Sequence, residues 1–190
     1  MTKSNNLSEC PGCHIILQAT DYPADNRYGI ASASCRKLFD EIIVKEGELY
    51  GYPPAHRLIV DAYGVQHPPR LNVQTELGIS KRLVDASVQS VAIHLIALYA
   101  ALEKNVPLLE ISDIMRRVLS HMNPKKLSFP ELLPPENLGK VRVDDVHKEV
   151  MKNLTLDEYT KLALSWAQCA WDAWSQEHNQ IRYWYNEYLK

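Results

Sequence analysis

From Cys35 onward, apolar positions recur with a period near 3.6, which predicts helices in preference to strands. A first helix is expected over Cys35 to Lys45, with Ser34 as its N-cap, Leu38, Phe39, Ile42 and Ile43 on one face, and Gly47 ending it. The turn Gly51-Tyr52-Pro53-Pro54 leads into a second helix, Ala55 to Gln66. His67-Pro68-Pro69 stops it, because a residue ahead of proline avoids the α region. Its Leu58, Ile59, Val60, Ala62 and Val65 wrap most of the circumference, so this helix is expected to be buried.

Ser80 is the expected cap of a third helix running to Lys104, whose stretch Val91 to Leu102 is apolar nearly all round and therefore central. Ser112 to His121 makes a fourth helix, ended by Asn123-Pro124. Pro124, Pro130, Pro134 and Pro135 then forbid a long helix and predict an ordered surface loop, with a short strand pair near Val141 to Val143. Thr155-x-x-Glu158 matches a capping box ahead of a long helical stretch carrying Trp166, Trp171, Trp174 and Trp184. Trp166, Ala170, Ala173 and Trp174 share a stripe, read as core packing rather than an aromatic cage, since tryptophan at helical spacing is what a helix needs to dock.

These elements predict an all-α protein: a single-domain helical bundle over 1–190, with no internal repeat and no long heptad pattern. It divides into an N-terminal arm (1–34), a helical core (35–122), a Pro-rich connector (123–143) and C-terminal helices (144–190). At 190 residues and 46% hydrophobic content, the chain can bury one sizeable core. A net charge of −2, from 21 basic against 23 acidic residues, offers no positive field for phosphate backbones or an anionic membrane. The partners left are a small ligand or another protein, with the oligomeric state open. The N-terminus lacks an apolar signal segment, and Val91 to Leu102, interrupted by His94, is too short to span a bilayer. A cytoplasmic location is the expectation.

Chemistry enters at Cys10-Pro11-Gly12-Cys13, where Pro-Gly sets both sulfurs on one side of a tight turn, as in a zinc knuckle. Thioredoxin-like use needs a strand before the motif and a helix after it, whereas a polar tail precedes this one and the turn-rich Thr20 to Gly29 follows. A third cysteine, Cys35, opens the first helix. Cys35 to Glu46 and His56 to His67 each span roughly 16 Å as helices, and a short turn folds them back antiparallel. Equal lengths put Cys35 near His67 and leave His56 at the opposite pole. Cys10, Cys13, Cys35 and His67 therefore form the expected Zn²⁺ site, of structural type, with His14 beside the knuckle as the competing fourth donor.

The motifs CPGC, CRKLFDE from Cys35, HRLIVDAYGVQHP from His56, VAIHL from Val91 and WAQCAWDAW from Trp166 occur in the order found in a bacterial family. The chain resembles the domain of unknown function 5946 family over most of its length. That resemblance supports the fold and the choice of site residues and implies no activity. The family usually continues CPGC with a small residue, where this chain has His14.

A second constellation is His56, Asp61 and His94. Set antiparallel to the second helix, the third brings His94 to the level of His56, and Asp61, among apolar neighbours, needs a partner such as Arg57 or His94. As catalytic candidates these three would serve a metal-dependent hydrolase-like enzyme; His94 alone reads as a hydrogen-bonded core histidine. The adjacent His-Asp pair of metal-dependent phosphohydrolases, HExxH, GxSxG and phosphate-cradling glycine loops are all absent. His121, His147 and His178 read as solvated. The reading favoured over the enzyme is a zinc-stapled helical module that binds a partner or ligand in a groove beside the Trp-rich last helix.

Overall fold

The computed structural model describes residues 6–23, 30–68, 81–121, 129–130 and 132–189. Among them are a two-stranded antiparallel sheet, β1 (Leu7–Glu9) and β2 (Ile16–Gln18), and seven α-helices forming one mainly helical domain. The helices are α1 (Ala33–Tyr50), α2 (His56–Val65), α3 (Lys81–Leu102), α4 (Leu108–His121), α5 (Val143–Val150), α6 (Leu156–Ala173) and α7 (His178–Tyr188). The expected cap Ser80 and the helix stop Asn123-Pro124 lie outside the described residues.

α1 starts two residues earlier than its sequence pattern predicts, because Ser32, not Ser34, accepts the Cys35 backbone N–H at 3.2 Å. Ser34 is turned inward and donates its hydroxyl to the Gln18 carbonyl of β2 at 2.6 Å. Gly47 does not end the helix. It lies inside it, where any Cβ would stand 2.8 Å from the Tyr52 ring, and the left-handed residue that closes the helix is Gly51, at φ 64°.

α3 is the central helix, packed against α2, α4, α6 and α7. Its segment Asp85–Leu102 is long and apolar enough to cross a membrane by length and composition, more than the shorter run Val91 to Leu102 suggests. Burial of 67% of that segment inside the protein accounts for its apolarity. α4 begins at Leu108, a turn ahead of Ser112, since Pro107 is tolerated at a helix start and its carbonyl accepts the Glu110 N–H at 2.8 Å.

Two expectations fail in the C-terminal third. Val141 to Val143 forms no strand pair: the Gln66 side chain donates to the Leu138 and Val141 carbonyls, both at 2.8 Å, and Cys169 Sγ accepts the N–H groups of Lys140 and Val141 at 3.0 and 3.3 Å. Side chains thus take the hydrogen bonds a partner strand would have taken. The long C-terminal helix is broken into α6 and α7 by a 3₁₀ turn, Ser175–Glu177. His178 secures the break by donating to the Trp171 carbonyl at 3.0 Å and stacking on the Trp171 ring at 3.8 Å, so it is not a solvated histidine. The Thr155/Glu158 capping box at the start of α6 is present.

Trp166, Trp171 and Trp174 are fully buried, as core packing requires. Each removes roughly 200 Å² from water, worth about 5 kcal/mol before the entropy of ordering is subtracted. Two of the three also aim their polar edges at α2. Trp174 Nε1 donates to the Val65 carbonyl at 3.1 Å and Trp166 Nε1 to Gln66 Oε1 at 2.9 Å, so α6 grips the last turn of α2 directly ahead of His67.

Candidate metal centre

The tail before the CPGC motif is a strand, not an unpaired polar arm: β1 pairs with β2 in the register Leu7 to Gln18, Ser8 to Leu17 and Glu9 to Ile16. Between them the chain makes a knuckle, with the Cys10 N–H bonded to the Ile15 carbonyl at 2.8 Å and the His14 N–H to the Cys10 carbonyl at 2.9 Å. Gly12 is required at the tip. A Cβ there would collide with the Ile30 carbonyl and stand 2.7 Å from His67 Cδ2.

Helices α1 and α2 bring the remaining donors to this knuckle. Cys35 Sγ lies 3.1 Å from His67 Nε2, the Phe39 and Tyr63 rings stack at 3.9 Å, and His56 Nδ1 meets Glu46 Oε2 at 2.6 Å. Step for step, positions advancing along α1 meet positions retreating along α2, which is the antiparallel register expected from equal lengths.

The ligand atoms of Cys10, Cys13, Cys35 and His67 all lie within 4.8 Å of one another. Among the described residues they form the one such convergent group that could hold a metal ion. Cys13 Sγ and Cys35 Sγ are 3.8 Å apart, which matches the separation of about 3.8 Å for two sulfurs held ~2.3 Å from a tetrahedral zinc. His67 Nδ1 donates to the Tyr63 carbonyl at 2.7 Å, which leaves Nε2 as the nitrogen that faces the sulfurs and would bind a metal. The Ser32 N–H adds a hydrogen bond to Cys10 Sγ at 3.3 Å.

Protonation is contested inside this group. Hydrogen bonds from Cys13 and Cys35 hold the Cys10 thiol far below the usual range, whereas Cys35, last to give up its proton, is pushed far up by Cys10, Cys13 and burial. Burial by itself lowers the His67 pKa, but hydrogen bonds to Cys10 and Cys13 outweigh it and raise the ring to about 10. Four donors competing for a few protons is a charge arrangement that a dication relieves.

A sequence profile of the family of unknown function DUF5946 matches residues 8–175, a stretch containing all four donors. The chain belongs to this family. No curated protein and no solved structure matches it.

The remaining candidates of this DUF5946 protein fall elsewhere. His14 is exposed at φ 61° and paired to Glu9 at 2.6 Å, outside the cluster. His94 does reach Asp61, with Nδ1 donating to Oδ1 at 2.6 Å, and Arg57 holds the same buried carboxylate through two bonds of 2.5 and 3.0 Å. His56 does not join them. It pairs with Glu46, and His94 sits over Gly64, two helical turns further along α2, so the expected common level of His56 and His94 is not found. His147 donates to Glu41 at 2.7 Å and is partly buried, while His121 is exposed as expected.

Sequence reasoning missed Tyr63 and Ser32 as supports of the cluster, and read Gly12 as a turn residue without its close approach to Ile30 and His67. For Tyr63 the signal was present, because a carbonyl four residues before a histidine at a helix end lies within reach of its Nδ1. For Gly12 and Ser32 the decisive partners, Ile30, His67 and Cys10, are distant in sequence.

Proposed function

We propose that Cys10, Cys13, Cys35 and His67 bind one zinc ion of structural type, and that this DUF5946 protein works as a binding module rather than as a metalloenzyme. The observation that carries the reading is the closed, buried donor set: three thiols and an imidazole whose tautomer the Tyr63 carbonyl selects. Four protein ligands fill a tetrahedral zinc, whereas a catalytic zinc keeps a position for water. Three sulfurs with one nitrogen favour zinc over the hard cations, which prefer oxygen. The reading carries with it a reducing, cytoplasmic setting, in which adjacent thiols do not pair as disulfides.

The zinc ties β1–β2 to the start of α1 and the end of α2, and Gln66 and α6 carry that anchorage onward to the connector. The tryptophans are consumed by the core, so the binding face moves from the expected groove to a cavity of about 530 Å³ between connector and α6. Asn137, Lys140, Ser165, Gln168 and Asp172 line it, and its size suits a small ligand or a partner side chain.

The test is elemental analysis followed by cobalt substitution. One zinc per chain, and a tetrahedral thiolate–cobalt spectrum that added azide leaves unchanged, is the expected result. A spectrum that azide shifts reveals an open position and returns the enzyme reading to first place.

A further inference from the structure

Resting on the zinc reading, we propose that Cys13 is a site of oxidation by hydrogen peroxide, and that its oxidation joins it to Cys35 and releases the metal. The three cysteines are not equally exposed. Cys10 and Cys35 are 0% exposed and Cys13 5%, and a cavity of about 90 Å³ lined by Cys13, Glu136, Asn137 and Arg142 opens beside the knuckle. That space holds a molecule the size of a few waters and excludes a peptide disulfide. Cys10 Sγ accepts the Ser32 N–H, which draws electron density from it, and of the three cysteines Cys13 is the one that lines the cavity, so a small electrophile there meets Cys13 first.

The steps balance. The Cys13 thiolate attacks one peroxide oxygen, the O–O bond breaks, and the departing hydroxide takes a proton from solvent, leaving a sulfenic acid on Cys13. The Cys35 thiolate, 3.8 Å away, then attacks that sulfur and expels a second hydroxide, which is also protonated. Two thiolates lose two electrons, one peroxide becomes two waters, and the metal loses two of its four ligands. Trp166 and Trp174 donate to the last turn of α2 beside His67, so release is expected to register in tryptophan emission.

The experiment uses the full chain with its zinc content measured beforehand. Hydrogen peroxide is added with a chromogenic chelator present, and thiol count, tryptophan emission and the disulfide map are followed. Expected are one zinc released per two thiols lost, a Cys13–Cys35 bond in the peptide map, and reversal by dithiothreitol with added zinc. Oxidised glutathione at equal concentration acts at least tenfold more slowly. Cys169→Ser leaves release unchanged, and Cys13→His, which keeps a ligand but no sulfur, slows it tenfold or more. Zinc retained while Cys169 oxidises, a disulfide that involves Cys10, or equal rates with oxidised glutathione overturns the proposal and leaves the zinc site standing. Protein that carries no zinc at the outset overturns both.

Discussion

His67 donates its Nδ1 hydrogen to the carbonyl of Tyr63 at 2.7 Å and turns Nε2 to within 3.1 Å of Cys35 Sγ. One hydrogen bond, set by the pitch of α2, decides which nitrogen faces the thiols. The metal-binding reading therefore depends on His67 more than on any other histidine.

Replacing the donors tests this. His67→Ala, Cys10→Ser and Cys13→Ser are each expected to reduce bound zinc at least tenfold and to lower stability by about 3 kcal/mol, a Tm lower by roughly 6–12 °C. His14→Ala and His56→Ala are expected to retain full zinc. Elemental analysis of the purified variants decides, and metal loss in His14→Ala but not in His67→Ala contradicts the antiparallel α1–α2 geometry.

Asp61 is fully buried and accepts from both Arg57 and His94. Asp61→Asn loses the charge that both partners need, and His94→Gln leaves the carboxylate one donor short. Each is expected to cost about 1–3 kcal/mol in a denaturant titration with zinc content unchanged. A rise in Tm for either variant would point to a functional group held against stability and make this pair the place to look for chemistry.

Gln66 is a single buried amide that satisfies three groups, the Leu138 and Val141 carbonyls and the Trp166 indole. Gln66→Leu keeps the volume and strands all three, at a cost of about 2–4 kcal/mol. The connector is expected to become protease-sensitive around Leu138, and limited proteolysis reads this directly. Unchanged cleavage would mean that Cys169 alone holds the segment.

α7 is pinned to the end of α3 by Glu103, which accepts two bonds from Arg182 at 2.7 and 3.0 Å and one from the Trp171 indole at 3.2 Å. The Arg182 hydrogen bond holds the Glu103 carboxyl below its ordinary value, so the native state favours the charged form. A depressed carboxyl pKa stabilises the fold above the unfolded value of 4.5, and that contribution fades as pH falls through the lower folded value. Glu103→Gln is expected to cost less than about 1 kcal/mol at neutral pH, since solvent screens the pair, and nothing in acid. Chemical denaturation at both pH values measures the difference, and an equal loss in acid would assign the effect to packing.

What was legible from sequence alone follows from how local the physics is. Equal spacings, Cys35 to Glu46 and His56 to His67, and a short turn between them set the α1–α2 register, and with it the meeting of Cys35 and His67. Periodicity marked α2 and α3 as buried, and the Thr155/Glu158 box set the start of α6. These depend on pitch, capping and turn length, all carried by residues a few positions apart. Tertiary structure decided whatever required a distant partner. The tail became β1 only because β2 lies across from it, and the connector avoided strand pairing because Gln66 and Cys169 occupy its backbone groups. The C-terminal helix broke where His178 could stack on Trp171, and Asp61 met His94 while His56 turned to Glu46. A chain pattern records which residues are apolar or polar, but a buried polar group is placed by whichever partner satisfies it, and only folding names that partner.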